Sequence, residues 1–204
     1  MNSASAIDRR QSGYDDAVSG PHLAFRSILD AMEHPGRLVT VPEYPHAPAV
    51  FNSAAAATCR TLLDGDTPVW TDIDWPNPAI SWLQIACGSS IVTELCMAKF
   101  VIITKPAVMP SLEFFRVGRH ELQEKATTIL VQVDDIYSES DNEGIRIDGC
   151  TAAGLKLKGV ADIFWYQWRR LSRLHPFGMD IFFACDDVLT AWPKIQTTPA
   201  ALYR

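Results

Sequence analysis

A chain of 204 residues with 48% apolar and 21% charged side chains has the balance of one globular domain with a sizeable core, which excludes an extended disordered chain. Its formal charge of −6 provides no concentrated basic surface and argues against a nucleic-acid-binding face. No apolar run approaches the roughly 20 residues needed to cross a bilayer, so no membrane role is expected.

Residues 1–20 are small and polar, without an apolar core or a dense arginine pattern, and read as a loosely held N-terminal arm. Residues 21–204 read as a single domain, since neither a repeat nor a linker divides them. Pro21 suits the first turn of a helix, in which Phe25, Ile28, Leu29 and Met32 recur on one face. His34-Pro35-Gly36 stops it, because the residue before proline leaves the helical region and glycine accepts the reversal. His34 is expected to pair with the terminal carbonyls, and Arg37–Val41 to form a strand.

Asn52 or Ser53 caps a second helix that runs through the alanines to Leu63, with Gly65 as its stop. Asp66–Trp70 is extended. A third helix spans about Pro78 to Cys87, with Ile80, Leu83 and Ile85 as apolar positions and Gly88 at its end. Phe100–Thr104 and Thr127–Val133 are strands, the second β-branched and buried on both faces. Gly144–Asp148 and Leu155–Val160 alternate apolar and charged residues and read as a hairpin or edge pair.

Asp162 opens the last helix, whose stripe of Ile163, Phe164, Trp165, Trp168 and Leu171 suits a core or a subunit interface. Two strands then meet at an Asp186-Asp187 turn, and Pro193 ends the second or marks it as an edge. This order predicts an α/β fold of three layers, helices covering both faces of a mixed sheet. Two connections are too short for parallel crossovers, so the sheet is not wholly parallel.

No phosphate-loop or dinucleotide fingerprint occurs. The glycines of Gly149-Cys150-Thr151 and Gly154 suit a hairpin turn better than a phosphate nest. The five histidines show no metal-ligand spacing, so no metal is expected. Cys59, Cys87, Cys96, Cys150 and Cys185 are an odd, irregularly spaced set, as expected of reduced thiols in a cytoplasmic protein. A thiol nucleophile would need a base such as His120 or His175. Lys105, after an apolar strand, is the lysine best placed for a Schiff base, although a solvated turn explains it more simply.

The acid pairs Asp134-Asp135, Asp141 with Glu143, and Asp186-Asp187 lie in turn contexts. Asp72 and Asp74 share a strand face, with no third group in sequence to support them. Asp180 is a lone acid before an apolar run. Arg169, Arg170 and Arg173 form a basic cluster that suits a solvated helix end. The residues alone identify no catalytic group.

Four segments carry a resemblance when taken together. Phe25–Gly36 is similar to the first helix and Pro-Gly stop of the PhnH family, a subunit of the bacterial carbon–phosphorus lyase system. Asp66–Trp70 resembles that family's acidic-to-tryptophan segment, and Ala126–Val133 its central strand. Pro176, Gly178 and Asp180, followed by the hairpin to Trp192-Pro193-Lys194, resemble its closing segment. The order agrees over about residues 22–198. Two departures stand out: Gly149-Cys150-Thr151 replaces a Gly-Pro-Gly-Ile-like loop, and Lys194 replaces an arginine, keeping charge but losing bidentate geometry.

The resemblance implies the fold of pyridoxal-phosphate-dependent transferases without the cofactor or its lysine. It also implies partner subunits G, I and J, and a homodimer when the chain is isolated. With those partners it implies formation of α-D-ribose 1-methylphosphonate 5-triphosphate from ATP and methylphosphonate, with the chemistry mainly on a partner. The competing expectation is a stand-alone enzyme or small-molecule-binding protein on the same fold, distinguished by a pocket with converging polar groups and a perturbed ionisable residue.

Overall fold

The computed structural model describes residues 19–115, 126–138, 146–147, 150–151, 155–174 and 178–193. The four helices are α1 (Ser19–Glu33), α2 (Ser53–Leu62), α3 (Pro78–Ile85) and α4 (Asp162–Leu174). The strands are β1 (Val39–Thr40), β2 (Pro68–Thr71), β3 (Ser90–Ile91), β4 (Phe100–Ile103), β5 (Thr128–Gln132), β6 (Asp135–Ser138), β7 (Arg146–Ile147), β8 (Cys150–Thr151), β9 (Leu155–Lys158), β10 (Asp180–Cys185) and β11 (Val188–Trp192).

Seven strands form one sheet in the order β1-β11-β10-β5-β4-β2-β3. The pairs from β10 through to β3 are all parallel, while β11 runs antiparallel to both of its neighbours. The sheet is therefore mixed, as the short Asp186-Asp187 turn requires. The closely paired β4, β5 and β10 carry almost uninterrupted apolar runs, which is what burial on both faces demands.

Side chains alternate across the sheet with period two. Phe100, Ile102, Leu130, Phe182, Ala184 and Ala191 join a core with α1, α2 and α3. Val101, Ile103, Ile129, Val131, Phe183 and Trp192 face the other way, into a core with Phe164, Trp165, Trp168 and Leu171 of α4. Edge-to-face contacts of Phe164 with Phe183 and of Trp165 with Trp192, at 5.7 and 6.1 Å between ring centres, fasten α4 to the sheet. The α4 stripe is thus core, except that Ile163 is exposed.

Several local expectations are corrected. The buried face of α1 is Ala24, Ile28 and Ala31, whereas Phe25 and Leu29 remain almost half exposed. The small alanines let α1 lie close to its neighbours, which rotates the larger pair outward. Helix α2 stops before Gly65: Leu63 is already extended and donates its N–H to Cys59 O. Ile85 at the end of α3 points into solvent. The strands around 144–148 and 155–160 do not pair with each other, because β9 pairs with β6 and β7 with β8. Of the two readings of Pro193, it ends β11, which stops at Trp192, and does not mark a sheet edge, since β1 pairs with β11.

Other expectations hold. Gly88 has φ of 75° at the end of α3, and Asp186 takes the left-handed conformation at the closing turn with φ of 48°. His34 Nδ1 lies 3.1 Å from the carbonyl oxygen of Asp30 and 3.0 Å from its carboxylate.

Candidate functional site

Open α/β sheets hold ligands beyond the carboxyl ends of their parallel strands, where loops and helix starts converge. Here that edge gathers Asp72 after β2, Thr104 and Lys105 after β4, Gln132 to Asp134 at the end of β5, and Cys185-Asp186 after β10. The segment between β1 and α2 closes over it. A cleft of about 340 Å³ results, lined by Val50, Asn52, Thr104, Gln132, Asp134, Cys185 and Asp186, among others. A second of about 380 Å³ adjoins it through Asn52 and Asp186 and reaches Glu43, Ser53 and Asp187.

The start of α2 is held by protein groups. Asn52 N donates to Gln132 Oε1 at 2.6 Å, and Gln132 Nε2 donates back to Val50 O at 2.9 Å. Asn52 Oδ1 accepts from Ala55 N at 2.8 Å, while its Nδ2 donates to Ala184 O at 3.0 Å. Ala54 N donates to Asp186 O at 2.8 Å. Three donors that would otherwise face an anion at this helix start, Asn52 N, Ala54 N and Ala55 N, are thus already committed. Among the described residues no Lys or Arg lines either cleft, whereas Glu43, Asp134, Asp186 and Asp187 are exposed around them. The field at this edge opposes a polyphosphate.

The structure joins Lys105 to the Asp72 and Asp74 pair, which the sequence left unsupported. Asp72 accepts from Thr104 N at 2.8 and 2.9 Å, from Thr104 Oγ1 at 2.9 Å and from Lys105 N at 2.8 Å. Lys105 Nζ lies 3.0 Å from Asp74 Oδ2. That hydrogen bond, the Asp74 charge and then Asp72 push the Lys105 ammonium above its ordinary value. A Schiff-base lysine needs the opposite shift, so this geometry does not make Lys105 an amine nucleophile.

Three described thiols are shifted away from activation. Burial pushes the Cys87 thiol up to about 12 and Cys59 well above its ordinary value. Cys185 is raised by burial, then by Asp186, Asp135 and Asp134. Cys96 is exposed. His120 and His175, the bases considered for a thiol, lie outside the described residues, as do Asp141, Glu143, Gly149, Gly154 and Lys194. The side chains of Cys150, Thr151 and Arg173 are also outside them. Asp180 begins β10 beside Thr128. Arg170 pairs with Glu113 at 2.7 Å, and Arg169 Nε donates to Trp165 O at 3.3 Å. Among the described residues no group of three His, Cys, Asp or Glu side chains is placed to hold a metal.

The features sequence reasoning missed are Gln132, Thr104 and the clasp they form with Asn52 and Asp72. Their only signal was that polar residues end apolar strands. Together the fold and this edge define a mixed-sheet α/β protein whose carboxyl-edge clefts are acidic and whose helix start is closed by protein groups. A family profile described as bacterial phosphonate metabolism protein (PhnH) matches residues 12–198, and the chain belongs to that family. A relative from Rhizobium meliloti (strain 1021), named α-D-ribose 1-methylphosphonate 5-triphosphate synthase subunit PhnH, is 25% identical over 187 residues, covering 89% of this chain and 91% of the relative.

Proposed function

We propose that this chain is the H-type subunit of an α-D-ribose 1-methylphosphonate 5-triphosphate synthase in phosphonate breakdown, acting with other subunits rather than alone. Membership of the PhnH family across residues 12–198 is the observation that carries this reading. The acidic carboxyl edge supports an accessory role, because no lysine or arginine among the described residues lines its clefts to receive a triphosphate. On this reading residues 21–204 act as one unit with the pyridoxal-phosphate transferase fold but without that cofactor. The partners are the G, I and J subunits, the isolated chain is a homodimer, and the assembly works in the cytoplasm. No helix among the described residues is long and apolar enough to cross a membrane.

Reconstitution tests the reading. The chain is combined with G, I and J subunits, and adenine released from ATP in the presence of methylphosphonate is measured. Release is expected only when this chain and its partners are all present. Full release without this chain would overturn the assignment. Tight binding of ATP or methylphosphonate by the isolated chain in calorimetry would favour the stand-alone reading, for which the cleft near Gln132 is the natural place.

A further inference from the structure

Two of the most exposed large apolar side chains stand on neighbouring loops at the carboxyl edge. Trp75, 70% exposed, follows β2, and Val108, 73% exposed, follows β4. Their loops are tied together. Asp74, the residue before Trp75, pairs with Lys105 at 3.0 Å, and Val108 N donates to Lys105 O at 3.1 Å. Asp72 adds a second tie through its bonds to Thr104 and Lys105. The two apolar side chains are therefore borne on braced loops rather than on loose ends.

This edge is continuous with the acidic clefts. Thr104 and Asp134 line the first cleft, and Asp134 and Pro106 both lie against Gly159. Beyond it come Asp186, Asp187 and Glu43. Of the described lysines here, Lys105 already serves Asp74, and Lys158 stands opposite Asp135 on the neighbouring ribbon. An exposed tryptophan bordered by acids has the anatomy of an interface: an aromatic anchor that gains by burial and a charged rim that selects the partner.

We infer that this carboxyl edge is the face that docks another subunit of the synthase, with Trp75 and Val108 entering an apolar recess bordered by lysine or arginine side chains. Charge complementarity commits the occupant: the edge is acidic, so its partner surface is basic. The inference rests on the accessory-subunit reading and specifies the surface through which that role is carried out.

The test uses the full chain assembled with its partner subunits, with affinity measured by interferometry and thermal unfolding confirming that each variant is folded. Trp75→Ala is expected to weaken association at least tenfold. Glu43→Lys with Asp187→Lys is expected to weaken it comparably and to flatten its dependence on salt, while the unmodified chain binds less tightly as salt rises. Ile85→Ser, on a still more exposed side chain at the far end of α3, is expected to leave affinity unchanged. If the unmodified chain joins the assembly and the tryptophan and charge variants join with the same affinity, the docking face is wrong and the function stands. If the unmodified chain never joins, both fall.

Discussion

Gln132 and Asn52 are 80 residues apart in sequence, yet the side-chain oxygen of the first lies 2.6 Å from the backbone nitrogen of the second. The same amide returns a hydrogen bond to Val50 O, so the end of β5 grips the chain on both sides of Phe51. Phe51 is buried against the helix core, its ring tilted at 53° to that of Trp82 with centres 5.7 Å apart. One glutamine thereby sets where α2 begins and how far the cleft beside it can open.

A double-mutant cycle checks that clasp. Asn52→Ala is expected to cost about 1–2 kcal/mol through the lost cap. Gln132→Leu is expected to cost about 1–3 kcal/mol by leaving two half-buried backbone groups unpaired. Urea denaturation of the single and double variants should show coupling of about 0.5 kcal/mol or more, since they share one network. Simple additivity would show that the two residues act independently.

The Asp72 staple is expected to matter more than the neighbouring ion pair. Asp72→Ala removes a partly buried carboxylate that accepts from two backbone nitrogens and a hydroxyl, at a cost of about 2–3 kcal/mol in equilibrium unfolding. Asp74 is 90% exposed, so Asp74→Ala should change stability little and less still at high salt. Equal effects would place the strength of this corner in the wrong pair.

The Lys105 ammonium is raised by Asp74, and this has a chemical readout. Incubation with pyridoxal phosphate at neutral pH followed by borohydride reduction should not label Lys105 in preference to other exposed lysines. Asp74→Asn removes the charge that raises it and should increase that labelling. Selective modification of Lys105 in the unmodified protein would restore the Schiff-base reading.

Burial of Cys59 and Cys87 predicts alkaline destabilisation with a definite sign. Both thiols ionise less readily in the folded chain, so their contribution is complete below the unfolded thiol range and is lost as pH rises toward their folded values. For Cys87 the window runs from about 8.5 in the unfolded state to about 12 in the folded one. Unfolding free energy should fall with pH there by at most about 1.4 kcal/mol per unit for each thiol. The Cys59→Ala, Cys87→Ala double variant should show a shallower slope. With a thiol reagent near neutral pH, Cys96 should react well before either buried thiol.

Much of the fold was legible in particular residues. The β-branched run around Ile129 to Val131 identified a strand buried on both faces, and Asn52 was one of two caps offered, which the structure chooses through its bond from Ala55 N. Asp186-Asp187 was recognisable as a turn because two acids interrupt two apolar runs and Asp tolerates the left-handed conformation. The face of α1 was not legible, since Phe25 with Leu29 and Ala24 with Ile28 and Ala31 are both helical stripes. Alanine is silent about burial until a neighbour comes close enough to require it. The partner of β9 was likewise hidden, because alternation gives a strand its faces but not its neighbour.

By itself, the sequence determined the kinds of element, their starts and stops, and the kinship carried by four ordered segments. Those depend on local backbone preference and on the period of apolar residues, which act over a few positions. Only the tertiary structure decided that Gln132 would hold Asn52, that Asp72 would meet Thr104, and that Trp75 and Val108 would border one acidic edge. Such meetings join residues tens of positions apart through the order of parallel strands. That order is fixed by packing on both faces of the sheet at once.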